Sequence, residues 1–150
     1  MIKAIYFDMD GTIADLYGVD GWLKNLRAEQ TRPYREAKPL LNMRKLARTL
    51  KALQNQGYHI GIVSWLSKNS STAYDERVTA AKQKWLAAHL GSVPFDEIKI
   101  VPYGTPKQNT ADFPQGILFD DEAPNRKSWT GAAYDADCIM QVLESLLKNP

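Results

Sequence analysis

The sequence predicts an α/β fold, an open and mostly parallel sheet flanked by helices. Three observations point to it. Short apolar runs rich in β-branched and aromatic residues recur along the chain, and polar residues or proline stop them. Segments of helical spacing separate these runs. Runs that are apolar on both faces suit buried parallel strands with crossover helices, not half-exposed antiparallel strands.

The first run, residues 2–7, stops at Asp8, and the second, residues 58–63, stops at Ser64. The third, residues 98–101, precedes Pro102, and the fourth, residues 117–119, stops at Asp120-Asp121. Among the helices, residues 40–56 carry Leu41, Leu46, Leu50 and Leu53 and end at Gly57, a fitting C-terminal cap. Residues 73–90 carry Val78, Ala81, Trp85 and Leu86 and end before Gly91. A shorter helix is expected over residues 125–131. Ile139, Val142, Leu143, Leu146 and Leu147 define a last helix over residues 139–147.

A chain of 150 residues with a net charge of +2 fits one domain, residues 1–150, with a core of its own. So small a charge gives no argument for nucleic acid or a membrane as partner. The single cysteine, Cys138, excludes an internal disulfide and fits a reducing compartment. No apolar run reaches the length of a membrane span, and the N-terminus turns acidic too soon for a signal peptide. A soluble, cytoplasmic protein is the expectation. Between Lys24 and Lys51 there are nine Lys or Arg and only two acids, Glu29 and Glu36. That stretch reads either as a solvated helix face or as a positive rim for an anionic substrate.

Ligands of open α/β sheets bind outside the carboxyl ends of the strands. Here those ends carry Asp8 and Asp10, then Ser64, then Asp120 and Asp121. Four converging carboxylates repel one another unless a cation joins them. Hard oxygen ligands without a His or Cys cluster point to Mg²⁺, the usual partner of substrate phosphates. His59 and His89, far apart on predicted core elements, are not expected to bind metal. Phosphoryl transfer needs an in-line nucleophile, charge neutralisation and a proton for the leaving group. Asp8 can be the nucleophile and Asp10 the acid and base. Gly11 and Thr12 can bring backbone amides to a phosphate, Ser64 can donate a hydroxyl, and Lys107 can supply a cation. Lys82 and Lys84, inside a predicted helix, are the weaker cation candidates. Tyr17 and Trp65 at the site mouth can stack on a base, and Arg32 and Arg35 can grip the far end of a substrate.

The run Ile5-Tyr6-Phe7-Asp8-Met9-Asp10-Gly11-Thr12 resembles the first motif of the haloacid dehalogenase superfamily, an apolar strand followed by Asp-x-Asp-x-Thr. Ile60-Gly61-Ile62-Val63-Ser64 is similar to its second motif, Lys107 to its third and Leu118-Phe119-Asp120-Asp121 to its fourth, in matching order. The resemblance implies a Rossmann-like fold, an aspartyl-phosphate intermediate and Mg²⁺ as cofactor. By that analogy the metal is held by the Asp8 carboxylate, the Asp10 backbone carbonyl and one of Asp120 or Asp121. Asp10 and the acidic pair favour the superfamily's phosphatases over its dehalogenases.

A narrower resemblance is to the 5'(3')-deoxyribonucleotidase group. It lies in residues 82–90, in Ile100-Val101-Pro102-Tyr103-Gly104 with Lys107, and in Phe119-Asp120-Asp121-Glu122-Ala123-Pro124-Asn125 followed by Trp129. Those nucleotidases carry a sizeable helical cap. Here the corresponding insert is confined to residues 15–39, room for one helix and a loop. The resemblance implies a small phosphorylated substrate, a nucleoside monophosphate. The short insert admits an alternative, a phosphatase open to a nucleic-acid end or a phosphoprotein. A non-catalytic phosphate-binding domain is a third reading. Dimerisation is one way to complete a site that a short insert leaves open.

Overall fold

The computed structural model describes residues 2–149. Five parallel strands form the sheet: β1 (Ala4–Phe7), β4 (His59–Trp65), β5 (Glu97–Val101), β6 (Ile117–Phe119) and β7 (Ala133–Tyr134), in the order β5-β4-β1-β6-β7. Strand β1 lies at the centre, with Phe7 opposite Ile62 on one side and Phe119 on the other. Its side chains alternate between the faces. Ile5 and Phe7 join the larger core with Leu46, Leu50, Leu53, Trp85 and Leu143, while Ala4 and Tyr6 join a smaller one with Leu118 and Trp129. Both faces are covered, which explains runs without polar alternation.

The crossover helices are α3 (Met43–Asn55) and α4 (Thr72–Leu90), with α5 (Ala123–Ser128) and α6 (Ile139–Lys148) closing the chain. Asn42 caps α3 by accepting from the Lys45 amide at 3.0 Å, and Ser71 caps α4 through the Tyr74 amide at 3.1 Å. Helix α3 therefore starts later than the expected residue 40, because the Leu40 amide bonds to the Ile13 carbonyl and keeps that segment extended. Strand β4 runs two residues past its apolar core. Ser64 and Trp65 keep pairing with Ile100 and Val101 of β5.

Residues 15–39 hold two short helices, α1 (Trp22–Arg27) and α2 (Arg32–Glu36), where the sequence suggested one. Glu29, at φ 55°, breaks the chain between them, and Pro33 opens the second. The insert is fastened at its base by an antiparallel pair of two-residue strands, β2 (Ala14–Asp15) and β3 (Lys38–Pro39). It packs on α4 through Leu16, Tyr34, Tyr74, Val78 and Ala81.

His59 is spoken for. It shares Glu97 Oε1 with the Tyr6 hydroxyl, each at 2.7 Å. Glu97 and Asp112 also lie 3.6 and 3.1 Å from the Lys99 ammonium, which serves both carboxylates. Among the described residues no helix is long and apolar enough to cross a membrane.

Candidate active site

The first functional side chain appears where β1 runs out. The Asp8 amide still bonds to the Phe119 carbonyl at 2.9 Å, which fixes Asp8 at the sheet edge. The chain then folds back on itself. The Met9 carbonyl accepts from Thr12, Ile13 and Ala14, and the Gly11 amide bonds to the Ala14 carbonyl at 2.8 Å. This turn needs glycine at position 11. Its φ is +81°, and a Cβ there would stand 2.3 Å from Asp121 Oδ2.

These bonds correct one expectation. The Gly11 and Thr12 amides are used inside the loop and are not directed at a ligand. Thr12 acts instead through its hydroxyl, which lies 3.0 Å from Asp8 Oδ2 and 3.2 Å from Asp121 Oδ1.

Two buried lysines organise the acids. Lys107 opens a 3-10 turn (Lys107–Asn109) and donates to Asp8 Oδ1 at 3.0 Å and Asp120 Oδ2 at 2.6 Å. Burial works against its charge, but Asp8 and Asp120 outweigh that and raise its pKa above the ordinary lysine value. Lys82, on α4, donates to Asp10 Oδ2 at 2.9 Å, Ser64 Oγ at 2.6 Å and the Trp65 carbonyl at 2.8 Å. The sequence offered it only as a weaker candidate for the phosphate cation and did not foresee its bond to Asp10. The available signal was its register: Tyr74, Val78, Lys82 and Leu86 recur every four residues and all are buried, so this lysine stands in an apolar stripe.

The acidic pair divides its work. Asp120 is fully buried, and its carboxylate accepts from Lys107, from the Glu122 amide at 2.9 Å and from Asn125 Nδ2 at 3.2 Å. Among the described residues the Asp121 carboxylate accepts only from the Thr12 hydroxyl. Burial first, and then the charge of Asp8, push the Asp121 carboxyl upward. Burial also raises Asp10, although Lys82 opposes it.

The donor set fits a divalent cation. Asp8, Asp120 and Asp121 each offer a carboxylate oxygen, all within 4.8 Å of one another. Lys82 pairs with Asp10, and Lys107 is shared by Asp8 and Asp120, so the Asp8, Asp120 and Asp121 cluster carries more carboxylates than ammonium groups. Asp120 already accepts from three protein donors, Asp8 from two and Asp121 from one.

Asp8, Asp10 and Lys107 line a cavity of about 910 Å³, the size of a small-molecule pocket. Tyr17, Trp22, Tyr34, Trp65 and Tyr103 also line it, with Arg27 and Lys68. The Trp65 indole is held by the Thr105 carbonyl at 2.7 Å and lies 5.0 Å from the Tyr103 ring. Tyr17 meets Trp22 edge-on at 4.8 Å. Arg32 and Arg35 do not line the cavity. Arg32 is held by Glu36, Asn25 and the Asp20 carbonyl, and Arg35 bonds to Thr31. Arg27 and Lys68 stand where those two were expected. Ser64 is fully buried and lies off the cavity wall, bound to Lys82.

No family model and no curated protein matches this chain. Solved structures do. D,D-heptose 1,7-bisphosphate phosphatase from B. bronchiseptica, crystallised with magnesium and phosphate, aligns over 99% of this chain and 100% of its own, with a TM-score of 0.59 and 13% identity. The enzyme of the same name from Burkholderia thailandensis aligns over 84% of this chain and 70% of its own, with a TM-score of 0.52 and 14% identity. At such identities the likeness concerns the fold, the Rossmann-like sheet flanked by helices that the sequence led us to expect.

Proposed function

We propose that this chain is a Mg²⁺-dependent phosphomonoester hydrolase that works through an aspartyl-phosphate on Asp8. The observation that carries the reading is the meeting of Asp8 and Asp10 with Lys107 and the Asp120-Asp121 pair at one sheet edge. The fold shared with two phosphatases, one crystallised with magnesium and phosphate, supports it.

Asp8, the Asp10 main-chain carbonyl and Asp121 would hold Mg²⁺, which when bound neutralises charge on the phosphoryl oxygens. An Asp8 carboxylate oxygen attacks phosphorus. The bond to the leaving oxygen breaks, and that oxygen keeps the electron pair and takes a proton from Asp10. The raised pKa of Asp10 suits it to hold that proton. Lys107 has used two of its three N–H donors on Asp8 and Asp120, so the third is left for a phosphoryl oxygen. In the second half, water gives a proton to Asp10 and its oxygen attacks phosphorus. The Asp8–phosphorus bond then breaks and its electron pair returns to the carboxylate.

The substrate is a small phosphorylated molecule, and within that class a (deoxy)nucleoside monophosphate is favoured. The two aromatic pairs on the cavity, Trp65 with Tyr103 and Tyr17 with Trp22, support it, because a base offers a π-face to stack. Sugar phosphates are the competing class, since the two solved structures described above are named for a heptose bisphosphate. The cavity is half open, so a nucleic-acid end or a phosphoprotein is the alternative substrate, and the full set of acids and lysines speaks less for a mere phosphate-binding domain. The test is hydrolysis of an aryl phosphate with and without Mg²⁺. Asp8→Asn should abolish turnover, and retained activity would refute the mechanism. In a substrate panel deoxynucleoside monophosphates should exceed sugar phosphates in kcat/KM, and the reverse order would overturn the nucleotide reading.

A further inference from the structure

We infer that Lys82 is a positioning residue for Asp10 that sets how well the enzyme expels poor leaving groups. The inference rests on the phosphatase reading above. Its ground is donor arithmetic. An ammonium has three N–H donors, and Lys82 spends all three inside the protein, on Asp10 Oδ2, Ser64 Oγ and the Trp65 carbonyl. None is left for a substrate. Lys82 is 1% exposed and does not line the cavity, whereas Lys107 lines it and keeps a donor free. The two lysines therefore do different work: Lys107 faces the phosphate, and Lys82 stands behind the acid.

A buried ammonium in an apolar stripe is costly unless fully paired, so a leucine would serve the fold better at this position. What lysine adds is a fixed carboxyl. With Oδ2 of Asp10 held by the ammonium, Oδ1 is the oxygen left to serve the departing group. The anchors are rigid. Ser64 and the Trp65 carbonyl belong to β4, and Lys82 belongs to the longest helix of the described chain. Its ammonium also lies 5.2 Å from the centre of the Tyr34 ring, which closes the side toward the insert. Asp10 is thus oriented from the strand and the helix together, while its own loop bends at Gly11.

The step concerned is the first transfer. Asp8 bonds to phosphorus, the phosphorus–oxygen bond to the leaving group breaks, and the proton on Asp10 Oδ1 moves to the departing oxygen. p-Nitrophenolate leaves as a stable anion and needs little of that proton. An alkoxide leaves only if protonated. The experiment compares kcat/KM for p-nitrophenyl phosphate and glycerol phosphate at saturating Mg²⁺, in the unaltered protein and in Lys82→Met. This constant reads the first transfer and not the later hydrolysis.

The loss should be about 100-fold greater on glycerol phosphate than on the aryl ester, the scale of general acid catalysis. Residual aryl turnover shows that the variant is folded. If Lys82→Met does not fold, Lys82→Gln, which keeps polar atoms in the buried position, supplies the same ratio. Added to Asp10→Asn, the Lys82 change should cost no further selectivity. Equal losses on the two substrates overturn the inference alone, since a role in folding or charge balance would lower both alike. No hydrolysis of either ester by the unaltered protein overturns the phosphatase reading and this inference with it.

Discussion

Replacing Asp121 by asparagine should stabilise the metal-free protein and abolish its response to Mg²⁺. The carboxylate oxygens of Asp8, Asp120 and Asp121 lie within 4.8 Å of one another. At that separation and an effective dielectric of about 20, two unit charges repel by roughly 3.5 kcal/mol. Lys107 sits between Asp8 and Asp120 and offsets part of this, and solvent around the partly exposed Asp121 screens more, so we expect a net gain of about 1 kcal/mol, or roughly 2–4 °C in Tm. The sign depends on pH. Burial and Asp8 raise the Asp121 carboxyl, so the folded state keeps a proton that the unfolded chain has already released. Metal-free stability is then intact below the ordinary carboxylate range and falls as pH rises through the folded-state value. The advantage of Asp121→Asn should therefore be small at pH 5 and larger at pH 8. Mg²⁺ at a hundred times its Kd should add about 2.7 kcal/mol to the unaltered protein, roughly 5–10 °C, and almost nothing to the variant. Scanning calorimetry at pH 5 and pH 8, with and without Mg²⁺, measures all four quantities. A metal-free variant that melts at or below the unaltered protein at pH 8, or a Mg²⁺ shift that survives the substitution, would refute the assignment of Asp121.

Two further outcomes follow from the packing. Gly11→Ala forces a Cβ against Asp121 and strains a left-handed turn, so aryl phosphate turnover and the Mg²⁺ shift in Tm should both be lost while the far-ultraviolet circular dichroism persists. Leu50→Ala empties a fully buried position under the sheet and should cost about 2–5 kcal/mol in urea unfolding, with the KM of the folded enzyme unchanged.

The sheet and its acids were legible because each rested on a local signal. A short apolar run that stops at an acid says both where a strand ends and what it presents, and β6 falls on the expected residues 117–119. Signals that depend on partners in space were not legible. Strand β7, two residues long, exists because Ala133 and Tyr134 find Leu118 and Phe119. The break at Glu29 has no glycine to announce it. Arg32 and Arg35 looked free in sequence and are held by neighbours within the insert. The acidic pair could not be divided by spacing, since only the bonds of Lys107 and Asn125 tell Asp120 from Asp121. Lys82 was half visible, its four-residue register with Val78 and Leu86 diluted by charged neighbours such as Lys84.

The two-rung ladder of Ala14 with Pro39 and Asp15 with Lys38 has a consequence for how such a protein can change. Paired residues across a ladder stand about 5 Å apart, so the insert leaves the chain and returns to it at nearly the same point. Residues 16–37 thus hang from a closed socket, and their length does not register on β1 or α3. Doubling a loop held this way costs only about 0.6 kcal/mol of closure entropy. Tyr17, Trp22 and Arg27 belong to the detachable part, while Asp8, Ser64, Lys82 and Lys107 belong to the sheet and its helices. Under the proposed function, the insert's share of substrate recognition is heritable apart from the bond-breaking residues, while Trp65 and Tyr103 stay with the sheet, and grafting a longer insert across that socket is a direct route to a new specificity.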